Sequence, residues 1–322
     1  MKSGIILNQR EVTNMKRETI ALNSLHDNLK LYASVTIPDT EPKGVVHIMH
    51  GLMECKELYN EIAAVLASYG YVVMVCDQRG HGQSYDDEHP LGYFDEKDGW
   101  ILNLKDNNRF ARFIRERYRN LPYFILGCGV GSLIARAYLK RYEYEISGVI
   151  LSNSLPYTPL VTIAKGMLDR SVHEKNSKLP ANFYVHQFYN DVKRKLKTKN
   201  DCAWLSNDEE VIAYYNQLPT CGHIPTHRLL QDVLFGYQDV YVNKDWHPIK
   251  KQLPILFLAG NQDPCIDYPK GIVYSINKMK ESGYQNIEYF DYPNRRHLLF
   301  LGLDKEFVYS DVILWLNQKV KK

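Results

Sequence analysis

Three positions in this sequence carry the chemistry that it could perform. Asp263 follows an apolar run, Pro254 to Ala259, in the form Gly260-Asn-Gln-Asp-Pro264, and His297 follows the next run, Asn286 to Tyr292. Pro264 restricts Asp263 to extended backbone, which helps to aim its carboxylate at a histidine. A carboxylate that holds an imidazole tautomer and an imidazole that takes a proton from a nucleophile form the last two members of a triad, in the chain order nucleophile, acid, base. The first member belongs upstream, in Tyr123-Phe-Ile-Leu-Gly-Cys-Gly-Val-Gly-Ser132. There a strand-like run reaches a cluster of glycines and switches at once to helical spacing, Leu133 to Leu139. That is the layout of the sharp turn that presents a nucleophile as Gly-x-Ser-x-Gly. Gly127 and Gly131 hold the outer positions, but the apex is Gly129, so the turn is expected and the serine is missing.

Neighbouring residues are poor substitutes. Reframing the motif on Ser132 would need glycine at 130 and 134, where Val130 and Ile134 stand. Ser132 is expected in the first helical turn, facing away. Cys128 offers a strong nucleophile as its thiolate. It precedes the apex, however, and its side chain points to the other side of the strand end. A glycine at the apex is sterically easy, because the turn costs a residue with a Cβ about 1–3 kcal/mol. The fold is therefore expected to persist, with space where a side chain would stand and room for a water beside His297. Without a nucleophile, a triad retains only about 10³–10⁴-fold acceleration over water.

The elements that must position these groups follow from the pattern of apolar residues. Glu18 to Leu22 and Lys30 to Ile37 alternate as two antiparallel edge strands, after a polar arm of about 17 residues. Val45 to His50, Tyr71 to Cys76, Tyr123 onward and Ser147 to Ser152 read as buried strands, separated by helical segments over 57–68, 100–118 and from the turn to about 141. Strands alternating with helices predict an α/β fold with a mostly parallel sheet covered on both faces. Functional groups in such folds lie beyond the C-terminal strand ends, where His50, Asp77 and Gly129 fall. Strand-like runs cease between Pro156 and Tyr237, which predicts a helical insertion at about 156–236 in a core of 1–155 and 237–322. The sheet pattern returns with 254–259 and 286–292, and helices are expected over 268–282 and 305–320.

Composition narrows the function classes. The chain has 322 residues, is 45% hydrophobic and 24% charged, and carries a net charge of +3. That is enough chain for a sizeable core and too mild a charge to suggest nucleic acid as a partner. The run Lys193 to Lys199 reads as a solvated helix face, with contact to an anionic headgroup as the other reading. No secretory leader or membrane span is expected, since the most apolar long window, 123–139, is shorter than about 20 residues and contains Arg136. Six cysteines without metal-type spacing read as reduced thiols of a cytoplasmic protein. Cys202 and Cys221 could conceivably pair, though nothing in the sequence requires it.

Four motifs in order give the chain a family resemblance: His50-Gly51, Asp77-Gln-Arg-Gly-His-Gly-Gln-Ser84, the turn at 127–131, and Gly260-Asn-Gln-Asp-Pro264 followed by His297. From residue 18 onward the sequence resembles the α/β-hydrolases of the monoacylglycerol lipase and lysophospholipase type. The resemblance implies an eight-stranded sheet and a helical cap at the insertion, around Asp201 to Glu210 and Pro219 to Gly222. It implies an oxyanion hole from the backbone N–H groups of Leu52 and Val130, a binding loop of His50, Gly51 and Met53, and Asp263 and His297 as acid and base. The loop 77–84 reads as structural. No cofactor or metal is implied. The expected ligand is a small-molecule ester or lipid-like compound, with any transient membrane-surface contact made through the cap. The chain departs from the family at Cys128, Gly129, Val130 and Leu298, which reads as natural divergence, an introduced Ser→Gly change being the other reading. Three functions follow: ester hydrolysis if a nucleophile exists, binding of an apolar ligand without serine-esterase activity, or a cofactor-free reaction of the His297–Asp263 dyad.

Overall fold

The computed structural model of the chain describes residues 15–242 and 245–320. Two strands, β1 (Lys16–Asn23) and β2 (Lys30–Ile37), pair antiparallel, as their alternation predicts. β1 takes in Lys16 and Arg17 of the expected polar arm, and the rest of that arm up to residue 14 lies outside the described residues. Six further strands follow: β3 (Gly44–Met49), β4 (Tyr71–Cys76), β5 (Tyr123–Cys128), β6 (Gly148–Ser152), β7 (Ile255–Gly260) and β8 (Ile287–Tyr292). They form one sheet in the order β1-β2-β4-β3-β5-β6-β7-β8, parallel from β4 to β8, with β2 antiparallel to β4.

Every residue of β3, β4, β5, β6 and β7 is buried, the expected state of strands covered on both faces. One face packs against α2 (Gly99–Arg117), α3 (Val130–Tyr142) and α8 (Lys270–Ser282), through Phe110, Leu133 and Ile272. The other packs against α1 (Asn60–Ser68) and α9 (Lys305–Val320), through Leu66 and Val312. The two edges are wetter: β1 alternates exposed and half-buried residues, and β8 is mostly half-buried.

Between β6 and β7 the described residues form four helices, α4 (Pro159–Ser171), α5 (Asn182–Leu196), α6 (Glu209–Gln217) and α7 (His227–Tyr241). The expected boundary at 236 falls inside α7, which sequence patterning could not reveal because one face of this helix belongs to the core. α7 packs on α2, α3 and α4. Gly236 brings it so close to α2 that a Cβ there would lie 2.5 Å from the Trp100 ring. Asp239 on the same helix accepts the Trp100 indole N–H at 3.2 Å and pairs with Arg141 at 2.8 Å.

Asp232 on α7 is buried against Gly99, where a Cβ would lie 2.3 Å from its Oδ2, and that oxygen makes no side-chain hydrogen bond among the described residues. Burial pushes its carboxyl up to about 8. A carboxyl raised on folding stabilises the native state fully below its unfolded value near 4, and that stability is lost as pH rises through 8. Asp232→Asn, which does not titrate, should therefore gain on the wild type by about 1.4 kcal/mol for each unit of pH between 5 and 8. Urea midpoints of both proteins at pH 5 and pH 8 check this, and parallel pH dependences would contradict it.

Candidate functional site

The site lies where β3, β5, β6, β7 and β8 end. β5 stops at Cys128, α3 begins at Val130, and Gly129 alone makes the turn, at φ 53° and ψ −118°. An L residue occupies this region only under strain. The outer glycines are fixed by close approach: a Cβ on Gly127 would lie 2.3 Å from the Gly131 carbonyl, and one on Gly131 would lie 2.0 Å from that of Met49. Gly129 donates its N–H to the Ser152 carbonyl at 3.0 Å, which ties the turn to β6. The turn expected from the sequence is thus formed in full without a side chain at its apex.

The structure brings together the two residues expected as acid and base. His297 Nδ1 lies 2.7 Å from Asp263 Oδ2, and both residues are buried. Burial alone would depress the imidazole, but the Asp263 carboxylate outweighs it, and His297 is held above its ordinary value near 6.5. Asp263 Oδ1 accepts the Cys265 N–H at 2.8 Å, so both carboxylate oxygens are engaged. The imidazole reaches the apex itself: a Cβ on Gly129 would lie 2.5 Å from Nε2. The ring therefore stands against the space in which a Cβ of residue 129 would lie.

Both alternative nucleophiles are buried. Ser132 is fully buried and donates its hydroxyl to the Gly129 carbonyl at 2.6 Å. Cys128 packs on the α1 and α9 side of the sheet, as the alternation of a strand dictates. Burial, and then the Glu54 carboxylate, pushes its thiol well above the ordinary range, so the reactive thiolate is suppressed.

Leu52, Met53, Val130 and His297 line one cavity of about 560 Å³, which continues between the inserted helices past Leu168, Val185, Phe188 and Val233. Its wall is largely apolar, with Asp191 and Lys195 as its charged members. Val130 opens α3, a 13-residue helix, so its N–H belongs to the positive end of the helix dipole. The other two residues of the expected binding loop stand elsewhere. His50 and Gly51 lie behind the cavity wall, not on it. His50 Nε2 accepts the Gln78 N–H at 3.0 Å, which leaves Nδ1 to donate to the Gly51 carbonyl at 2.8 Å. Burial drops this histidine to about 4, so it is a neutral brace for the loop.

Three positioning residues escaped the sequence reading. Glu54 is buried, accepts the Gly51 N–H at 2.9 Å and the Tyr59 hydroxyl at 2.5 Å, and so shapes the loop that carries Leu52. Its spacing from Gly51 is the only signal the sequence offers. Asn153, at the end of β6, donates to the His297 carbonyl at 2.7 Å and accepts the Gly260 N–H at 2.9 Å, which clamps the base loop to the acid strand. Trp204, from the insertion, sets its ring 4.8 Å from that of His297, and its carbonyl accepts the His297 N–H at 3.2 Å. Leu298 donates its N–H to Leu205 and is buried among apolar residues, which accounts for an apolar residue beside the base.

Among the described residues, two trios bring potential metal-ligand atoms within 4.8 Å of one another: Asp263, Cys265 and His297, and Asp27, His89 and Asp95. In the first, the 2.7 Å contact between acid and base is a hydrogen bond, shorter than the spacing of two ligands about 2.0–2.1 Å from one ion. In the second, the Arg79 guanidinium already pairs with both carboxylates, at 2.8 and 3.3 Å.

Comparison with known proteins agrees with this fold. The family model described as serine aminopeptidase, S33, matches residues 40–304. A monoacylglycerol lipase of Mycolicibacterium smegmatis is 24% identical over 89% of this chain and 93% of its own. Among solved structures, a thermostable carboxyl esterase from Bacillus coagulans superposes with a TM-score of 0.85 at 23% identity, over 95% of this chain and all of its own. A soluble variant of monoglyceride lipase from Saccharomyces cerevisiae gives 0.74 at 22% identity, over 96% of each chain. With the sheet order, the turn at Gly129 and the Asp263–His297 pair in place, the chain belongs to the serine aminopeptidase S33 family, as an α/β-hydrolase of the monoacylglycerol lipase and lysophospholipase type.

Proposed function

We propose that this protein binds a lipid-like ester or carboxylate in the cavity and has little or no serine-esterase activity. One observation carries the reading: His297 Nε2 stands 2.5 Å from the point where a Cβ of residue 129 would be, so the base faces backbone where the family's nucleophile belongs. The relatives act on monoacylglycerols by name, and the apolar wall around Leu168, Phe188 and Val233 suits an acyl chain of that kind. At the cavity floor, Leu52 and Val130 are the residues whose N–H groups would receive the ligand's carbonyl or carboxylate oxygen. In this reading the helices of 156–236 act as the cap.

The purified protein should take no label from a fluorophosphonate probe, should turn over p-nitrophenyl butyrate no faster than about 10⁴-fold above water, and should retain an acyl lipid in native mass spectrometry. Stoichiometric labelling, or turnover abolished by alkylating Cys128, would overturn it. The cap also offers a surface for lipid: Leu160, Ile163 and Met167 share one stripe of α4 and are all exposed, with Phe183 on α5 exposed as well. Replacing Ile163 and Met167 by serine should reduce co-sedimentation with phosphatidylcholine vesicles severalfold, and unchanged sedimentation would remove membrane contact from the proposal.

A further inference from the structure

The joint between the inserted helices and the core holds two cysteines that the site does not use. Cys55 closes the loop that carries Leu52, Met53 and Glu54, and is fully buried. Cys221 lies in the turn between α6 and α7 and is partly exposed. Their sulfur atoms are 3.0 Å apart. Cys202, the partner conceivable from sequence, instead faces Asn216 Oδ1 at 3.8 Å. The backbone around the pair is fixed from both sides: the Met53 carbonyl accepts the Gly222 N–H at 2.9 Å and the Tyr215 hydroxyl at 2.8 Å. Gly222, next to Cys221, is thus bonded across the joint to Met53, two residues before Cys55, and closing a bond between the sulfurs needs only about 1 Å of side-chain movement.

We infer that Cys55 and Cys221 form a dithiol–disulfide site that couples the redox state of the surroundings to the docking of the insertion on the Leu52 loop. The oxidant is a low-molecular-weight disulfide. The thiolate of Cys221, the exposed member, attacks one sulfur of the oxidant and releases the first small thiolate. Cys55 then gives up its proton and attacks the Cys221 sulfur of the mixed disulfide, releasing the second. Two protein thiols are oxidised and one small disulfide is reduced to two thiols, so electrons and protons balance. The bond to Cys55, and then burial, hold the Cys221 thiol well above its ordinary range, so the exchange is slow at neutral pH and quickens as pH rises. The new bond spans a sequence separation of 166 residues, a long closed loop that restrains the unfolded chain strongly.

The test needs no ligand. Folded wild-type protein is incubated with oxidised glutathione at pH 8, its free thiols are blocked with N-ethylmaleimide, and its peptides are mapped by mass spectrometry. The expected result is a Cys55–Cys221 cross-linked peptide that dithiothreitol releases, with amide exchange over 218–222 slowed about tenfold in the oxidised protein. Cys55→Ser should stop at a glutathione adduct on Cys221, and Cys221→Ser should give no cross-link. If a variant fails to fold, the wild-type map decides. A wild type that carries only the glutathione adduct, pairs Cys221 with Cys202, leaves both thiols alkylatable, or forms the bond without slower exchange overturns the proposal.

Discussion

Gly129→Ser is expected to make this protein a serine esterase, raising p-nitrophenyl ester turnover on the order of 10³-fold or more and introducing fluorophosphonate labelling. The expectation rests on the His297–Asp263 contact at 2.7 Å and on Val130, at the helix N-terminus, which lines the cavity with Leu52. The serine would cost stability, about 1–3 kcal/mol, because φ 53° and ψ −118° strain any residue with a Cβ. It would also push the His297 ring back by about 1 Å to reach ordinary contact, since Nε2 now lies 2.5 Å from the Cβ position. The base must be neutral to accept a proton, and His297 is held above 6.5, so activity should rise with pH along a limb centred above 6.5. Adding Asp263→Asn to the serine variant should lower turnover by about 10⁴-fold through the wrong tautomer. A folded Gly129→Ser protein without turnover or labelling would show that more than one side chain separates this site from a working esterase.

The second large effect lies away from the apex. Arg79→Met should destabilise the protein by about 3–5 kcal/mol and lower Tm on the order of 10 °C. Its guanidinium is fully buried and bonds Asp106 at 2.8 Å, Asp27 at 2.8 Å, Asp95 at 3.3 Å and the Phe94 carbonyl at 2.9 Å. It thereby ties the turn between β1 and β2, the loop before α2, and α2 itself to the strand end after β4. Burial works against the charge of Arg79, but Asp106 and Asp27 outweigh it, and burial pushes Asp106 up in turn. Removing the cation strands Asp106, and Asp106→Asn in the Arg79→Met background should recover part of the loss. If the double variant is no more stable than the single one, lost packing and not stranded charge sets the cost. Lysine would not serve, because a single ammonium cannot reach three carboxylates in the fork geometry of a guanidinium.

Much of this fold is legible in the sequence because strands buried on both faces must be continuously apolar. β3, β4, β5 and β7 could hardly be anything else, and the order of motifs at their ends follows. The turn at 127–131 could be read without a serine at its apex because Gly127 and Gly131 are demanded by backbone contacts at 2.3 and 2.0 Å, which hold whatever stands between them. The boundary of the insertion was less legible. α7 carries apolar residues for two partners, and nothing in its periodicity says that Gly236 and Asp239 face the core.

His50 shows where local reading fails. Its motif and its place at a strand end suit a cavity-lining residue, yet both ring nitrogens are spent on Gln78 and Gly51. The sequence by itself determined the sheet, the order of acid and base, and the absence of a side chain at 129, because periodicity, chain order and residue type are local properties. Only the tertiary structure decided that His297 stands against the apex, that Asn153 and Trp204 hold it there, and that Cys55 meets Cys221 instead of Cys202 meeting it. Those outcomes depend on contacts between residues far apart in the chain, and their distances are set by how the insertion and the strand ends pack.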